Sequence, residues 1–288
     1  MQVYAPFIAY LFLAPAILGL LIFKVYPLLL SATESLYQVS FFGQQAKYFV
    51  GLENYRDVFA DPTFWQSLKV TLKFNFLIIP IQVALAVALA LLLNKKFKGV
   101  RVFRSIYLLP AGVSIAIACT LWSLMLNPNS GLLNSLLALV GIPRQPFLTT
   151  SSQALWSIIL IASWKGVPYW MIFIMAGLQG IPESNYEAAA IDGANALQVL
   201  FKITLPLLKR TLLFVVVVNT VSNFLLFVPP YMLTRGGPES STNLLMYEVF
   251  KSGFIYNDMA RATTMITLLV ILLLGIVAIE FRWLRAEH

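Results

Sequence analysis

The sequence predicts an all-α integral membrane protein with six transmembrane helices in one domain. Hydrophobic residues make up 59% of the 288 and charged residues only 11%, and the mean hydropathy is +0.81. Six apolar runs are each close to the roughly 20 residues a helix needs to cross a hydrocarbon core of about 30 Å. Between the fourth and fifth runs lies a polar insert with its own helix signals. Those three features place the chain among polytopic membrane proteins.

The first run, Phe7 to Leu30, has no basic residue before it and exceeds the length of a signal-peptide core, so it is read as a retained span. Lys24 and Tyr26 near its end suit snorkelling and interfacial anchoring. The loop Ser31 to Lys73 carries FVGLENYRDVF, whose alternating aromatic and polar residues suggest a partly buried outer subdomain. The second and third spans are Phe74 to Leu93 and Phe103 to Leu126. Between Asn127 and Ser152, NPNSGLLNSLLALVGIP reads as a short amphipathic helix between turns, lying along the membrane surface. Leu155 to Leu178 is the fourth span, Leu207 to Val228 the fifth and Ala262 to Ile279 the sixth. Pro15, Pro80, Pro110 and Pro168 fall inside spans, which lipid-buried helices tolerate when neighbours satisfy the freed carbonyls.

The insert Tyr186 to Pro206 reads YEAAAIDGANALQVLFKITLP. Pro182 suits a first helical position, and Glu183 and Glu187 lie near the positive end of the helix dipole. Ala188, Ala189 and Ala190 keep the helix thin. Asp192 and Gly193 then break it, because glycine readily takes the left-handed conformation. Leu197, Leu200, Phe201 and Ile203 give a second amphipathic turn before Pro206. Helix, bend and helix form a knob suited to receiving motion from a soluble partner, where an ordinary loop would need none of this punctuation.

Charge sets the expected orientation. The net charge is +8, but no basic face interleaved with aromatics points to nucleic acid. Lys95, Lys96, Lys98, Arg101, Arg104, Lys202, Lys209, Arg210, Arg282 and Arg285 crowd the side of the insert. Lys47, Arg56, Lys69, Lys73, Arg144, Arg235, Lys251 and Arg261 are spread over longer opposite loops that also hold seven acids. This bias expects the insert and both termini in the cytoplasm. Cys119 is single and lies within an apolar run, and His288 is the only histidine, so disulfide, metal and histidine chemistry have little to work with.

Polar and aromatic residues halfway along spans are the candidates for contact with a solute. ASWKGVPYW places Trp164, Gly166, Tyr169 and Trp170 around a Gly/Pro interruption. Asn219 and Asn223 stand at i and i+4 on one helix face, with Ser222 and Phe227 close to it. Ser114 in the third span is a further candidate. The competing reading is that such residues bridge helices or pack. Lys165 falls near the middle of its run, where a charge is costly unless paired or wet; it lines a cavity, pairs with an acid on a second subunit, or snorkels.

Several motifs in order resemble the carbohydrate type of binding-protein-dependent ABC-importer permease, the maltose/glycerol-3-phosphate group. They are FVGLENY at Phe49 to Tyr55, RSIYLLP at Arg104 to Pro110, NPNSGLLN at Asn127 to Asn134, GLQGIPESNYEAAAIDGA at Gly177 to Ala194, KITLPLL at Lys202 to Leu208 and LTRGGP at Leu233 to Pro238. The resemblance covers nearly the whole chain. It implies the type I importer (MetI-like) fold in a bacterial inner membrane. It also implies a second homologous permease, two ATP-binding cassette subunits and an extracytoplasmic solute-binding protein as partners. Glu187, Ala188, Ala189, Asp192 and Gly193 of the EAA loop would dock on the ATPase. Gly166, Tyr169, Asn219 and Asn223 match positions that face sugar, whereas the family usually has an apolar residue at Lys165. No GxxxxGK[ST] phosphate cradle is present, so ATP and magnesium are expected on partner subunits and no cofactor or active site in this chain. An ion-driven secondary carrier would need intramembrane carboxylates, and the 12 acids avoid the span interiors.

Overall fold

Proline, glycine and a few wide turns decide where the apolar runs stay straight and where they break. The computed structural model describes residues 6–40, 46–95 and 97–285; Lys96 and His288, discussed above, lie outside the described residues. Helix α1 (Pro6–Leu20) runs through a wide turn at Leu21–Val25 into α2 (Tyr26–Glu34). Tyr10–Glu34 is long and apolar enough to cross a bilayer, and none of its apolar window is buried within the chain. A helix apolar all round suits lipid or another subunit.

An antiparallel hairpin follows, β1 (Tyr37–Ser40) with β2 (Ala46–Phe49), pairing Tyr37 with Phe49 and Ser40 with Ala46. It is a small exception to the all-helical expectation, because paired strands satisfy backbone groups that a loop would leave to water. In α3 (Glu53–Ala60) the buried Asn54 donates to the carbonyls of Ser35, at 2.8 Å, and Tyr37, at 3.0 Å. Asp61 then accepts the Thr63 N–H at 2.7 Å and starts α4 (Pro62–Asn94), a 33-residue helix that passes through Pro80.

The third expected span is broken. Helices α5 (Val100–Gly112) and α6 (Ile115–Met125) meet at 100°, whereas one continuous span from Phe103 to Leu126 was expected. Val113 and Ser114 are both extended, with ψ of 137° and 139°. Pro110 and Gly112 just before them weaken the helix, the first by lacking an N–H and the second by its backbone freedom. Helix α7 (Leu132–Leu139) is held by buried Asn134, which donates to the carbonyls of Pro128 and Gln145 and accepts the Gln145 N–H. Then come α8 (Ser151–Gln179), α9 (Glu183–Ile191), α10 (Ala196–Val199), a wide turn at Leu200–Thr204, α11 (Leu205–Leu207) and α12 (Lys209–Phe224).

Helix α12 has 16 residues, about 24 Å at 1.5 Å per residue and short of the expected Leu207 to Val228. Leu208 and Leu225 flank it with ψ of −4° and 4°, unwinding both ends. The last elements are α13 (Leu245–Phe250), a wide turn at Lys251–Ile255 and α14 (Met259–Arg285). Among the described residues four helices are long and apolar enough to span, and five if the bent α5–α6 pair is taken as one.

The residues divide into two compact units, Met1–Phe64 with Glu248–Ile271, and Trp65–Tyr247 with Leu272–His288. In the first, Arg261 pairs with Asp61 and lies 3.8 Å from Glu248, which also binds Lys251 at 2.6 Å. In the second, α4, α8 and α12 bring together Ala86, Ala90, Trp170, Ile174, Leu178, Leu208 and Val215. Alanines one turn apart let α4 approach closely. A second cluster packs Phe74 and Ile78 against Leu155, Ile158, Ile159 and Leu244.

Candidate functional site

One face of α8 lines a cavity of about 300 Å³ through Ala162, Lys165, Gly166, Tyr169 and Trp170. Their spacing of three and four residues is that of a single helical stripe. Helix α4 adds Gln82, α12 adds Asn219, Ser222 and Asn223 with Leu226 just beyond it, and the broken α5–α6 pair adds Ala111 and Ile115.

The polar wall is tied across three helices. Asn223 Nδ2 donates to Gln82 Oε1 at 3.0 Å, to the Asn219 carbonyl at 3.1 Å and to Asn219 Oδ1 at 2.5 Å. Gln82 Nε2 in turn donates to the Ala162 carbonyl at 3.1 Å. Asn219 is fully buried and its Nδ2 has no partner among the described residues. Gly166 lets Gln82 come close, since a Cβ there would lie 3.0 Å from Gln82 Nε2 and would press on that amide. Edge-to-face contacts then run from Trp170 to Tyr169, at 4.9 Å, and on to Phe173, at 5.1 Å.

Lys165 stands at the midpoint of the 29-residue α8. Its Nζ donates to the Ala111 carbonyl at 3.3 Å. Ala111 lies in the last turn of α5, where carbonyls lack an intrahelical partner and the helix dipole is negative. The break in the third span thus creates the acceptor that holds the ammonium.

Of the residues singled out in the sequence, Gly166, Tyr169, Asn219 and Asn223 meet at this cavity. Trp164 instead packs edge-to-face on Trp122, with ring centroids 5.7 Å apart. Ser114 is exposed at the start of α6, and the Phe227 carbonyl accepts the Tyr231 N–H beyond α12; neither lines the cavity. Gln82 escaped notice. A lone amide two residues after Pro80, inside an apolar run, was the signal.

In the loop between α8 and α12, Gly193 has φ of +71°, the left-handed conformation expected of it. Pro182 precedes the helix as its cap instead of opening it. Glu187, Ala188, Asp192 and Gly193 are exposed, while Ala189 is buried. Asn195 and Gln198 form a reciprocal cap on α10, at 2.9 and 2.8 Å, an N-x-x-Q signal left unread in the sequence. Thr204 donates to the Tyr186 hydroxyl at 3.4 Å, closing the loop on itself. Ile191, Leu197 and Phe201 are exposed, Ile191 at 87%.

Helices long and apolar enough to cross a bilayer carry the amides and the lysine of this cavity, an arrangement suited to a membrane component of a transport system. Residues 62–284 match the family described as binding-protein-dependent transport system inner membrane component, and the chain belongs to that family. It is 35% identical to the sn-glycerol-3-phosphate transport system permease protein UgpA of Agrobacterium fabrum, over 96% of this chain and 94% of that one. It is 34% identical to the trehalose/maltose transport system permease protein MalF of Thermococcus litoralis, over 97% and 95%. The fold is also similar to that of a chain in a bacterial ABC transporter involved in the import of the acidic polysaccharide alginate. The TM-score there is 0.80 at 23% identity, over 98% of this chain and 96% of that one.

Proposed function

We propose that this chain is one permease subunit of an ATP-driven importer for a carbohydrate or polyol-like solute. The supporting observation is the juxtaposition, at the midpoint of α8, of paired asparagines, a glutamine, a lysine and two aromatic rings around one cavity. Sugars and polyols offer hydroxyls to such amides and apolar faces to such rings. The relatives favour the same solute class, since their names specify glycerol phosphate and trehalose/maltose and the similar structure concerns alginate.

In this reading a solute-binding protein delivers the solute, and a second permease completes the path. Two ATP-binding cassette subunits supply nucleotide chemistry and hold the magnesium. The loop from Glu183 to Thr204 faces the cytoplasm, as both termini do, and docks on an ATPase through Glu187, Ala188, Asp192 and Gly193. Exposed Ile191, Leu197 and Phe201 give it an apolar contact surface, while Ala189 is buried. Closure of the ATPases rocks the helices and opens the cavity to the other side. Trp164, Phe227 and Ser114 stay candidates for the wider path rather than for the cavity wall.

Purification of the tagged chain from its native membrane tests this. An ATPase and a second permease should accompany it, and uptake into proteoliposomes should require ATP. Solute accumulation by the chain alone, driven by an ion gradient, would overturn the reading in favour of a secondary carrier.

A further inference from the structure

Resting on that reading, we propose that the cavity selects an anionic solute, one bearing a carboxylate or a phosphate ester, and that Lys165 is the residue that sets this preference. The ammonium cannot escape to water along the helix. It lies fourteen residues from either end of α8, about 21 Å at 1.5 Å per residue, which is farther than a lysine side chain reaches. A charge held at that depth requires a partner or a wet, lined space.

No carboxylate supplies the partner. Among the described residues lining the cavity none is acidic, and Lys165 is the one cation. Its bond to the neutral Ala111 carbonyl occupies one of three ammonium donors.

The rest of the polar wall is biased the same way. Gln82 Oε1, Asn219 Oδ1 and the Ala162 carbonyl already accept bonds from within the protein. Apart from the Ser222 and Tyr169 hydroxyls, which can also accept, what remains is donors, namely the Lys165 ammonium and the buried Nδ2 of Asn219, which has no partner among the described residues. A neutral sugar brings as many hydroxyl donors as acceptors to such a wall. A carboxylate or phosphate brings acceptors only, together with the missing negative charge, and charge-assisted hydrogen bonds are the stronger kind.

The test uses the assembled transporter, purified through this chain and placed in nanodiscs, with binding read from tryptophan fluorescence. Two matched pairs are the probes: digalacturonate against its neutral dimethyl ester, and glucose 6-phosphate against glucose. The carboxylate pair and the phosphate pair tell the two kinds of anion apart. In at least one pair the anion should bind tighter by about tenfold or more. Lys165→Met should bring that ratio close to one, and Lys165→Arg should keep part of it. Thermal unfolding of each variant shows whether it is folded, and the arginine variant carries the comparison if the methionine variant is not. A neutral member binding as tightly as its anion in both pairs, a ratio that survives Lys165→Met, or no binding by any probe overturns the proposal. Each of those results leaves the copurification of ATPase and second permease, and so the permease assignment, standing.

Discussion

Asn223 in α12 donates through Nδ2 to Oε1 of Gln82 in α4, a 3.0 Å bond between residues 141 positions apart. Both are buried, Gln82 at 2% and Asn223 at 5% exposure. Gln82→Leu alone should destabilise the protein by about 0.5–1.5 kcal/mol, the usual net worth of a hydrogen bond, because Asn223 Nδ2 keeps its acceptors on Asn219. In the double variant with Asn223→Leu the costs should fail to add, by about 0.6 and at most about 1.7 kcal/mol, the range for bonds between membrane helices. Unfolding of the four proteins in bicelles measures this, and simple additivity would show that the bond is not energetically coupled.

At Gly177, α8 packs tightly against Thr211 at the start of α12. A Cβ there would lie 2.6 Å from Thr211 Oγ1 and 2.9 Å from Leu208 Cδ2. Gly177→Ala should therefore cost about 1–3 kcal/mol by overpacking. Thr211→Ala in the same chain should restore part of it, because the nearest clashing atom is gone. Thermal unfolding in detergent checks both steps, and an unchanged midpoint for Gly177→Ala would disprove the close approach.

The loop glycine behaves differently. Gly193 has φ of +71° with nothing within 4 Å of an added Cβ, so only backbone strain opposes substitution. Gly193→Val should impose roughly 1–2 kcal/mol on the loop, while Gly193→Asn should be milder because asparagine tolerates the left-handed region. In the assembled transporter, solute-stimulated ATP hydrolysis should fall for valine more than for asparagine, with membrane insertion unchanged. Equal activity in the two variants would mean that the bend plays no part in coupling.

These sites were unevenly legible in the sequence. The long spans, the left-handed Gly193 and the Asn219–Asn223 stripe follow from composition and helical periodicity, which act within one segment. The 100° break at Val113–Ser114 was hidden because both halves are apolar, so hydropathy joins them into one run. The hairpin at Tyr37–Ser40 is too short for alternation to stand out. Gln82 was legible as a lone amide in an apolar run, but its pairing with Asn223 needed knowledge of which helix faces α12, and the choice between snorkelling and cavity for Lys165 needed the true helix ends. Trp164 has the composition of a ligand contact but the wrong angular position on α8, and it packs on Trp122.

Protonation should matter at Asp61, just before α4. Burial raises its pKa, but the Thr63 N–H and the Arg261 guanidinium outweigh that and hold the carboxyl below its ordinary 3.8. A group depressed in the folded state adds stability above its unfolded pKa of about 3.9 and loses it as pH falls through the lower folded value. The unfolding temperature should therefore show no effect of Asp61 titration near neutrality and a decline in acid. Asp61→Asn should flatten the acid part of that profile. A decline of the same steepness in the variant would remove Asp61 from the account.

The Ala111 carbonyl that anchors Lys165 belongs to the backbone, so no replacement of the alanine side chain can delete it. Mutational drift at position 111 leaves the ammonium's tether untouched, whereas the residues that set the kink, Pro110 before it and Gly112, Val113 and Ser114 after it, can carry the tether away without ever touching the lysine. Preference for charge would then be inherited through the shape of a helix ending, and a scan confined to cavity-facing side chains would overlook where it is controlled.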